Sequence, residues 1–280
     1  MPATVKPVRV PDLVAMKSKG EKITMLTAYD ATMARLLDVA GIDVLLVGDS
    51  LGMVVMGYET TVPVTLDMML HHCKAVVRGT RRALVVADLP FLTYQIDAAE
   101  TLRNAGRLIQ DGGAAAVKIE GGHAILDAAR RLRDAGIPVM GHLGLTPQSV
   151  HQIGGFRPQA QTVEDGKRLI EDAIALESAG AFAIVLESIP AEIAERVTAS
   201  VAVPTIGIGA GPGCDGQVLV SYDMLGLFDQ FVPSFVKQYA NLSQTVMDAA
   251  GAYADDVRSG RFPKSGSGKK HVETLGERNP

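Results

Sequence analysis

Five short apolar runs in this sequence lead directly into a residue that can hold or move charge. Leu45-Leu46-Val47-Gly48 runs into Asp49-Ser50, and Leu84-Val85-Val86-Ala87 into Asp88. Ala116-Val117 is followed by Lys118 and Glu120, Val139-Met140-Gly141 by His142, and Ile184-Val185-Leu186 by Glu187-Ser188. A single acid after a strand is most simply a helix cap or a solvated loop residue, but five in succession on one rim form a site. Asp49, Asp88 and Glu120 make an all-oxygen donor set. That suits a hard divalent cation such as Mg2+, whereas zinc would want more His and Cys. Without a cation the three carboxylates would repel, and at least one would keep its proton. A 2-oxo acid could chelate such a metal through its carboxylate and keto oxygens, which would acidify the adjacent C–H. Glu187 is then the candidate base. Lys118 would offset the charge of the enolate or carboxylate, Ser50 could hydrogen-bond the substrate carboxylate, and His142 stands close by.

These residues need a frame that brings strand ends together. Helical patterns end at Ala40-Gly41, Gly112-Gly113, Ala135-Gly136 and Ala179-Gly180, and each is followed by an apolar run. Glycine suits the left-handed position after a helix. Near-continuous Val, Ile, Leu and Ala is how a parallel strand covered on both faces reads. Eight strands are expected, at residues 22–27, 43–47, 83–87, 115–119, 138–140, 182–186, 204–208 and 217–220. Between them lie amphipathic helices, with Asp30 and Thr162 as caps and Asp165 at the capping-box position. Residues 236–257 read as a final long helix. Strands alternating with helices over 280 residues predict a single-domain α/β protein, a (β/α)8 TIM barrel, with its site at the carboxyl ends of the strands. Residues 1–262 would form the catalytic domain with a short N-terminal extension, and 263–280 a polar, disordered tail. Lys118 and Glu120 stand two apart on one strand, so both should enter the barrel mouth while Ile119 turns towards the helices. A structural ion pair is the alternative reading of those two.

Composition narrows the function. A net charge of -4 leaves no basic face for nucleic acid. No apolar run is long enough to span a membrane, and Met1 to Val14 lacks the apolar stretch of a signal peptide. The two cysteines, Cys73 and Cys214, form no Cys-x-x-Cys motif, which suits a reducing cytoplasm. Gly211-Pro-Gly213-Cys-Asp-Gly216 fits a dinucleotide pattern in letters only, since a strand follows it, and it reads as a tight turn at the rim. His71 and His72 fall on an outer helix and read as surface or partly packed residues.

Several segments resemble the ketopantoate hydroxymethyltransferase family. They are Lys22 to Asp30, Val47 to Gly52, Gly57 to Thr65, Ala87 to Phe91, Val117 to Gly122, Gly141 to Gln148, Gly207 to Gly211 and Asp215 to Val220. The resemblance implies a Mg2+-dependent transfer of a hydroxymethyl group from 5,10-methylenetetrahydrofolate to 3-methyl-2-oxobutanoate in pantothenate and coenzyme A synthesis. By this likeness Asp49, Asp88 and Glu120 match the metal-site acids, and Ser50, Asp88 and Lys118 the substrate contacts. Asp49 joins the substrate-facing set, Glu187 matches the proton acceptor, and His142 a further active-site residue. It also implies a cytoplasmic homo-oligomer, a decamer. The sequence departs from the family pattern at Tyr222-Asp223, where His-Asp would stand. No residue for the folate can be assigned from the residues alone.

Three other readings stay open at this point. A lyase of the isocitrate-lyase or phosphoenolpyruvate-mutase type would share fold and metal logic. Lys118 could act as a metal-free Schiff-base nucleophile. A non-catalytic barrel could serve as a binding module.

Overall fold

The computed structural model describes residues 6–264, and its centre is a closed barrel of eight parallel strands in sequential order. They are β1 (Ile23–Thr27), β2 (Val44–Val47), β3 (Leu84–Asp88), β4 (Ala116–Glu120), β5 (Val139–Gly144), β6 (Ala181–Glu187), β7 (Thr205–Ile208) and β8 (Gly216–Leu219). All eight expected strands are present, with ends shifted by a residue or so except at β5. There the run continues to Gly144 and takes His142 inside the strand rather than after it.

Helices α1 (Val10–Lys19), α2 (Ala31–Val39), α3 (Leu51–Val54), α4 (Leu66–Gly79), α5 (Ala98–Gln110) and α6 (Leu126–Asp134) accompany the first half of the barrel. The second half carries α7 (Val150–Ile153), α8 (Val163–Ala179), α9 (Ala191–Ser200), α10 (Ser221–Met224) and α11 (Leu242–Arg258). The expected caps form. Asp30 accepts the backbone N–H groups of Thr32 and Met33. Thr162 accepts that of Asp165 and donates to its carboxylate.

Period-two alternation divides the core into two layers. Met25, Val44, Leu46, Val86, Ala116, Met140, Ala183 and Ile206 fill the barrel interior, and Leu13 of α1 closes its lower end. Leu45, Val47, Val85, Ala87, Val117, Ile119 and Ile184 face the helices. Ile119 thus points outward, as the spacing of its neighbours requires.

Two segments depart from a regular repeat. The connection 209–215 joins β7 to β8 with no helix. It is pinned along β7 by Asp215, which accepts from the Thr205 N–H at 2.9 Å and pairs with Lys17 at 2.9 Å. The Gly211–Gly216 segment is therefore a connection between strands. The last helix begins at Leu242 rather than 236, because residues before it are held as loop: the Tyr239 N–H bonds to Met224 O, and Asn241 caps the helix. No residue of α11 is buried, although Val246, Met247, Tyr253 and Val257 lie on it. The reading of residues 263–280 as a tail falls, from 265 onward, outside the described residues. Among the described residues no helix is long and apolar enough to cross a membrane.

Candidate active site

Strand register fixes which charged groups meet. Asp88 at the end of β3 lies beside Lys118, and Glu120 at the end of β4 lies beside His142. Glu187 at the end of β6 lies beside Gly144. Asp49, Ser50, Asp88, Lys118, Glu120, His142 and Glu187 all line one cavity of about 360 Å³ at the carboxyl rim. All seven sequence-predicted residues are therefore brought together. Asp49, Asp88, Lys118, Glu120 and His142 are buried, while Glu187 keeps 16% of its side chain open.

Lys118 forms the centre of this charge cluster. Its Nζ is 3.1 Å from Asp88 Oδ1 and 3.7 Å from Glu120 Oε1. Burial pulls the ammonium pKa down most strongly, but Asp88, Glu120 and Asp49 together outweigh it and leave the pKa raised. His142 is also buried and near Lys118, both of which oppose its charging. The Glu120 and Glu187 carboxylates overcome them and hold its pKa up to about 9. Its Nδ1 is 3.3 Å from Glu120 Oε1, and its Nε2 is 3.1 Å from Glu187 Oε2. Nδ1 also lies 3.1 Å from Lys118 Nζ. With both groups charged, the imidazolium faces Glu120 and the ammonium faces Asp88 as ion pairs.

The acids respond in opposite directions. Burial, then the charges of Asp88 and Glu120, push Asp49 well above the usual carboxylate range. Asp88 is raised, chiefly by burial against the pull of Lys118. Glu120 is lowered: burial opposes this, but His142 and Lys118 prevail. The expectation that one carboxyl keeps its proton falls on Asp49.

Tyr94 and Gln148 were not singled out by sequence reasoning, yet they hold the acids in place. Gln148 donates from Nε2 to Asp49 Oδ2 and to Leu89 O, both at 2.9 Å, and from its backbone N–H to Glu120 Oε2 at 3.0 Å. The Tyr94 hydroxyl donates to Gln148 Oε1 at 2.8 Å and accepts the Glu120 N–H at 3.0 Å. Gln148 stands inside a segment that carries the family resemblance, and that was the only available signal. Tyr29, also not singled out, supports Ser50 instead: its hydroxyl is 2.9 Å from Ser50 Oγ.

The backbone at Glu187 is tightly placed. A Cβ on Gly144, whose φ is +89°, would lie 2.2 Å from Glu187 O, so the approach of β5 to β6 here requires glycine. Ser188 follows in the left-handed region at φ 51°, a conformation that costs energy in a non-glycine residue and is found clustered at functional sites.

A cation suits this donor set in part. Among the described residues no three His, Cys, Asp or Glu side chains are grouped as a ready ligand cage. Lys118 stands between Asp88 and Glu120, and Gln148 takes one oxygen each of Asp49 and Glu120. Mg2+ needs no such cage, since one or two carboxylates, water and substrate oxygens suffice. Asp88 Oδ1 and Glu120 Oε1 are buried without an aligned hydrogen bond. The burial that raises Asp49 and Asp88 is the cost a divalent charge would offset.

Fold and site together define a (β/α)8 barrel with a carboxylate-rich cavity at its carboxyl rim. The family model for ketopantoate hydroxymethyltransferase matches residues 7–265. The 3-methyl-2-oxobutanoate hydroxymethyltransferase of Moorella thermoacetica is 60% identical over 256 residues, covering 91% of this chain and 95% of that one. That of Syntrophus aciditrophicus is 59% identical, covering 89% and 91%. The chain belongs to the ketopantoate hydroxymethyltransferase family. Among solved structures, phosphonopyruvate hydrolase in complex with oxalate and Mg++ is similar at TM-score 0.60 and 14% identity, covering 90% of this chain and 87% of that one. A 2,3-dimethylmalate lyase of the PEP mutase/isocitrate lyase superfamily is similar at TM-score 0.59 and 18% identity, covering 94% and 91%. These last two share the fold.

Proposed function

We propose that the rim cavity deprotonates 3-methyl-2-oxobutanoate and joins the resulting carbon nucleophile to the one-carbon unit of 5,10-methylenetetrahydrofolate, giving 2-dehydropantoate. The observation that carries this reading is the convergence of Asp49, Asp88, Lys118, Glu120, His142 and Glu187 on one cavity, in a chain of this family.

Asp49, Asp88 and Glu120 are the residues that would hold Mg2+, which when bound would draw electron density from the keto group and make the C3–H more acidic. Ser50 hydrogen-bonds the substrate carboxylate. Lys118 supplies a fixed positive charge where negative charge develops. Glu187 removes the C3 proton, and the C3 electron pair forms the new bond to the donor's methylene carbon. One C–N bond of the donor breaks as this bond forms, the oxygen of a water then replaces the second nitrogen on that carbon, and tetrahydrofolate leaves with the proton from Glu187 and one proton of the water. His142, whose Nε2 lies 3.1 Å from Glu187 Oε2, positions that carboxylate by charge. The lyase and the inert-barrel readings lose ground to the family match, and a positively charged Lys118 is a poor Schiff-base nucleophile.

The action is cytoplasmic in this reading, and the enzyme is a homo-oligomer, a decamer by family resemblance. The apolar side chains left uncovered on α11 support self-association.

The deciding experiment incubates the protein with 3-methyl-2-oxobutanoate and methylenetetrahydrofolate, with and without EDTA. We expect 2-dehydropantoate to form, to stop with chelator and to return on adding Mg2+. Product formation that ignores chelation would refute the metal-dependent reading.

Gln148 gives a second check. It orients two of the metal-holding acids, and removing such a partner weakens metal affinity by about 10–100-fold. Gln148→Ala should therefore bind Mn2+ that much more weakly in a paramagnetic titration, without losing the fold. Unchanged affinity would take Gln148 out of the site.

A further inference from the structure

The cavity has a second polar feature, at the side away from Lys118. Asp223 on α10 is 8% exposed and lines the same cavity. Among the described residues its carboxylate has no hydrogen bond or ion pair, and burial alone pushes it up to about 6. Its oxygens are not among the fully enclosed unpartnered atoms and so face the cavity, where a ligand that displaces water must supply the hydrogen bond itself.

The surroundings limit what that can be. Phe228, Phe231 and Phe235 from the segment after α10, with Phe156 from the loop after α7, line the same cavity. Phe156 is 47% and Phe231 67% exposed. Tyr29 lies between the two ends: its ring meets Tyr222 edge to face at 5.4 Å, and its hydroxyl binds Ser50. A keto acid cannot satisfy Asp223. It carries no N–H donor, and its own carboxylate would be repelled. A flat ring with neighbouring N–H groups, held against the aromatic walls, meets both features.

We infer that Asp223 is the anchor of the one-carbon donor, accepting paired N–H bonds from the aminopyrimidinone edge of its pterin ring, which lies against the phenylalanine rim. This rests on the hydroxymethyl-transfer reading above. It divides the cavity into a keto-acid end, built from strand termini, and a donor end, built from residues that follow β8 and α7. The departure at Tyr222 then falls just behind the cavity wall, where Tyr222 packs on Tyr29.

Asp223 can be tested apart from the keto-acid chemistry. Exchange of the C3 hydrogen of 3-methyl-2-oxobutanoate in deuterated water needs the base and the metal but no folate. Asp223→Asn and Asp223→Ala should keep that exchange within about twofold of wild type, because additivity holds for independent sites. Tetrahydrofolate affinity, measured by anaerobic calorimetry, should fall on the order of tenfold or more. A 2-desamino pteridine analogue, which cannot offer both N–H groups, should bind wild type and Asp223→Ala alike. Since Asp223 holds no protein group, neither variant should melt earlier than wild type.

Tetrahydrofolate affinity unchanged within about twofold in both variants would overturn the assignment, with the transfer reading intact. Parallel loss of exchange and folate binding in Asp223→Asn would overturn it too, since the residue would then support the site as a whole. A wild-type protein that exchanges the keto acid but binds no tetrahydrofolate would sink the transfer reading itself.

Discussion

Glu187→Gln is expected to lower turnover by about 10²–10⁴-fold, the range a positioned general base contributes. The substitution keeps shape and a carbonyl oxygen that can accept from His142 Nε2, now 3.1 Å from the carboxylate. What disappears is the capacity to take a proton. The neighbouring imidazole is a poor replacement, because the Glu120 carboxylate remains beside it and still favours its protonated form. The loss should thus appear equally in product formation and in deuterium exchange at C3 of the keto acid, with the keto-acid KM little changed. Exchange that proceeds at the wild-type rate in Glu187→Gln would remove Glu187 as the base. Raising the pH should restore the variant only once His142 gives up its proton, which happens at lower pH than in wild type, because the lost Glu187 carboxylate is one of the groups that hold the imidazole up to about 9.

Much of this could be read from the chain because strands write their geometry with a period of two. Lys118 and Glu120 flank Ile119, and the structure turns the first two into the cavity and the third towards the helices. Asp88 and Glu187 close their strands where the sequence ended its apolar runs. His142 was found as a residue but misplaced in its element, since Gly141 and Leu143 continue β5 around it. Tyr94 and Gln148 are another matter. Both lie off the strands, and their importance comes from meeting Asp49 and Glu120 across long gaps in sequence, which no local pattern encodes. Asp223 sits on a four-residue helix and carries no periodic signal at all. The helix start at Leu242 was missed for a similar reason: Tyr239 and Asn241 are fixed by bonds to distant or flanking groups that override a helical run.

The largest effect on stability is expected from Lys118→Met. The side chain has nearly the right length and shape to fill the same buried space, so little packing should be lost. What the change removes is the ammonium 3.1 Å from Asp88 and 3.7 Å from Glu120, leaving buried carboxylates without their counter-charge. Breaking a buried pair from one side costs about 3–5 kcal/mol. The loss should therefore be clear in denaturant titration. Three further outcomes separate electrostatics from simple misfit. Lower pH should restore part of the stability, since Asp88, already raised by burial, can then take a proton in place of the lysine. Adding Asp88→Asn to the variant should recover part as well, because the double change removes both charges. Mg2+ should stabilise Lys118→Met more than the wild type, because a cation can now serve the acids that lysine served. A variant equally unstable at every pH, with no gain from Asp88→Asn or from Mg2+, would mean that Lys118 holds the barrel mouth by its bulk. Its charge would then have no part in preparing the carboxylates for a metal.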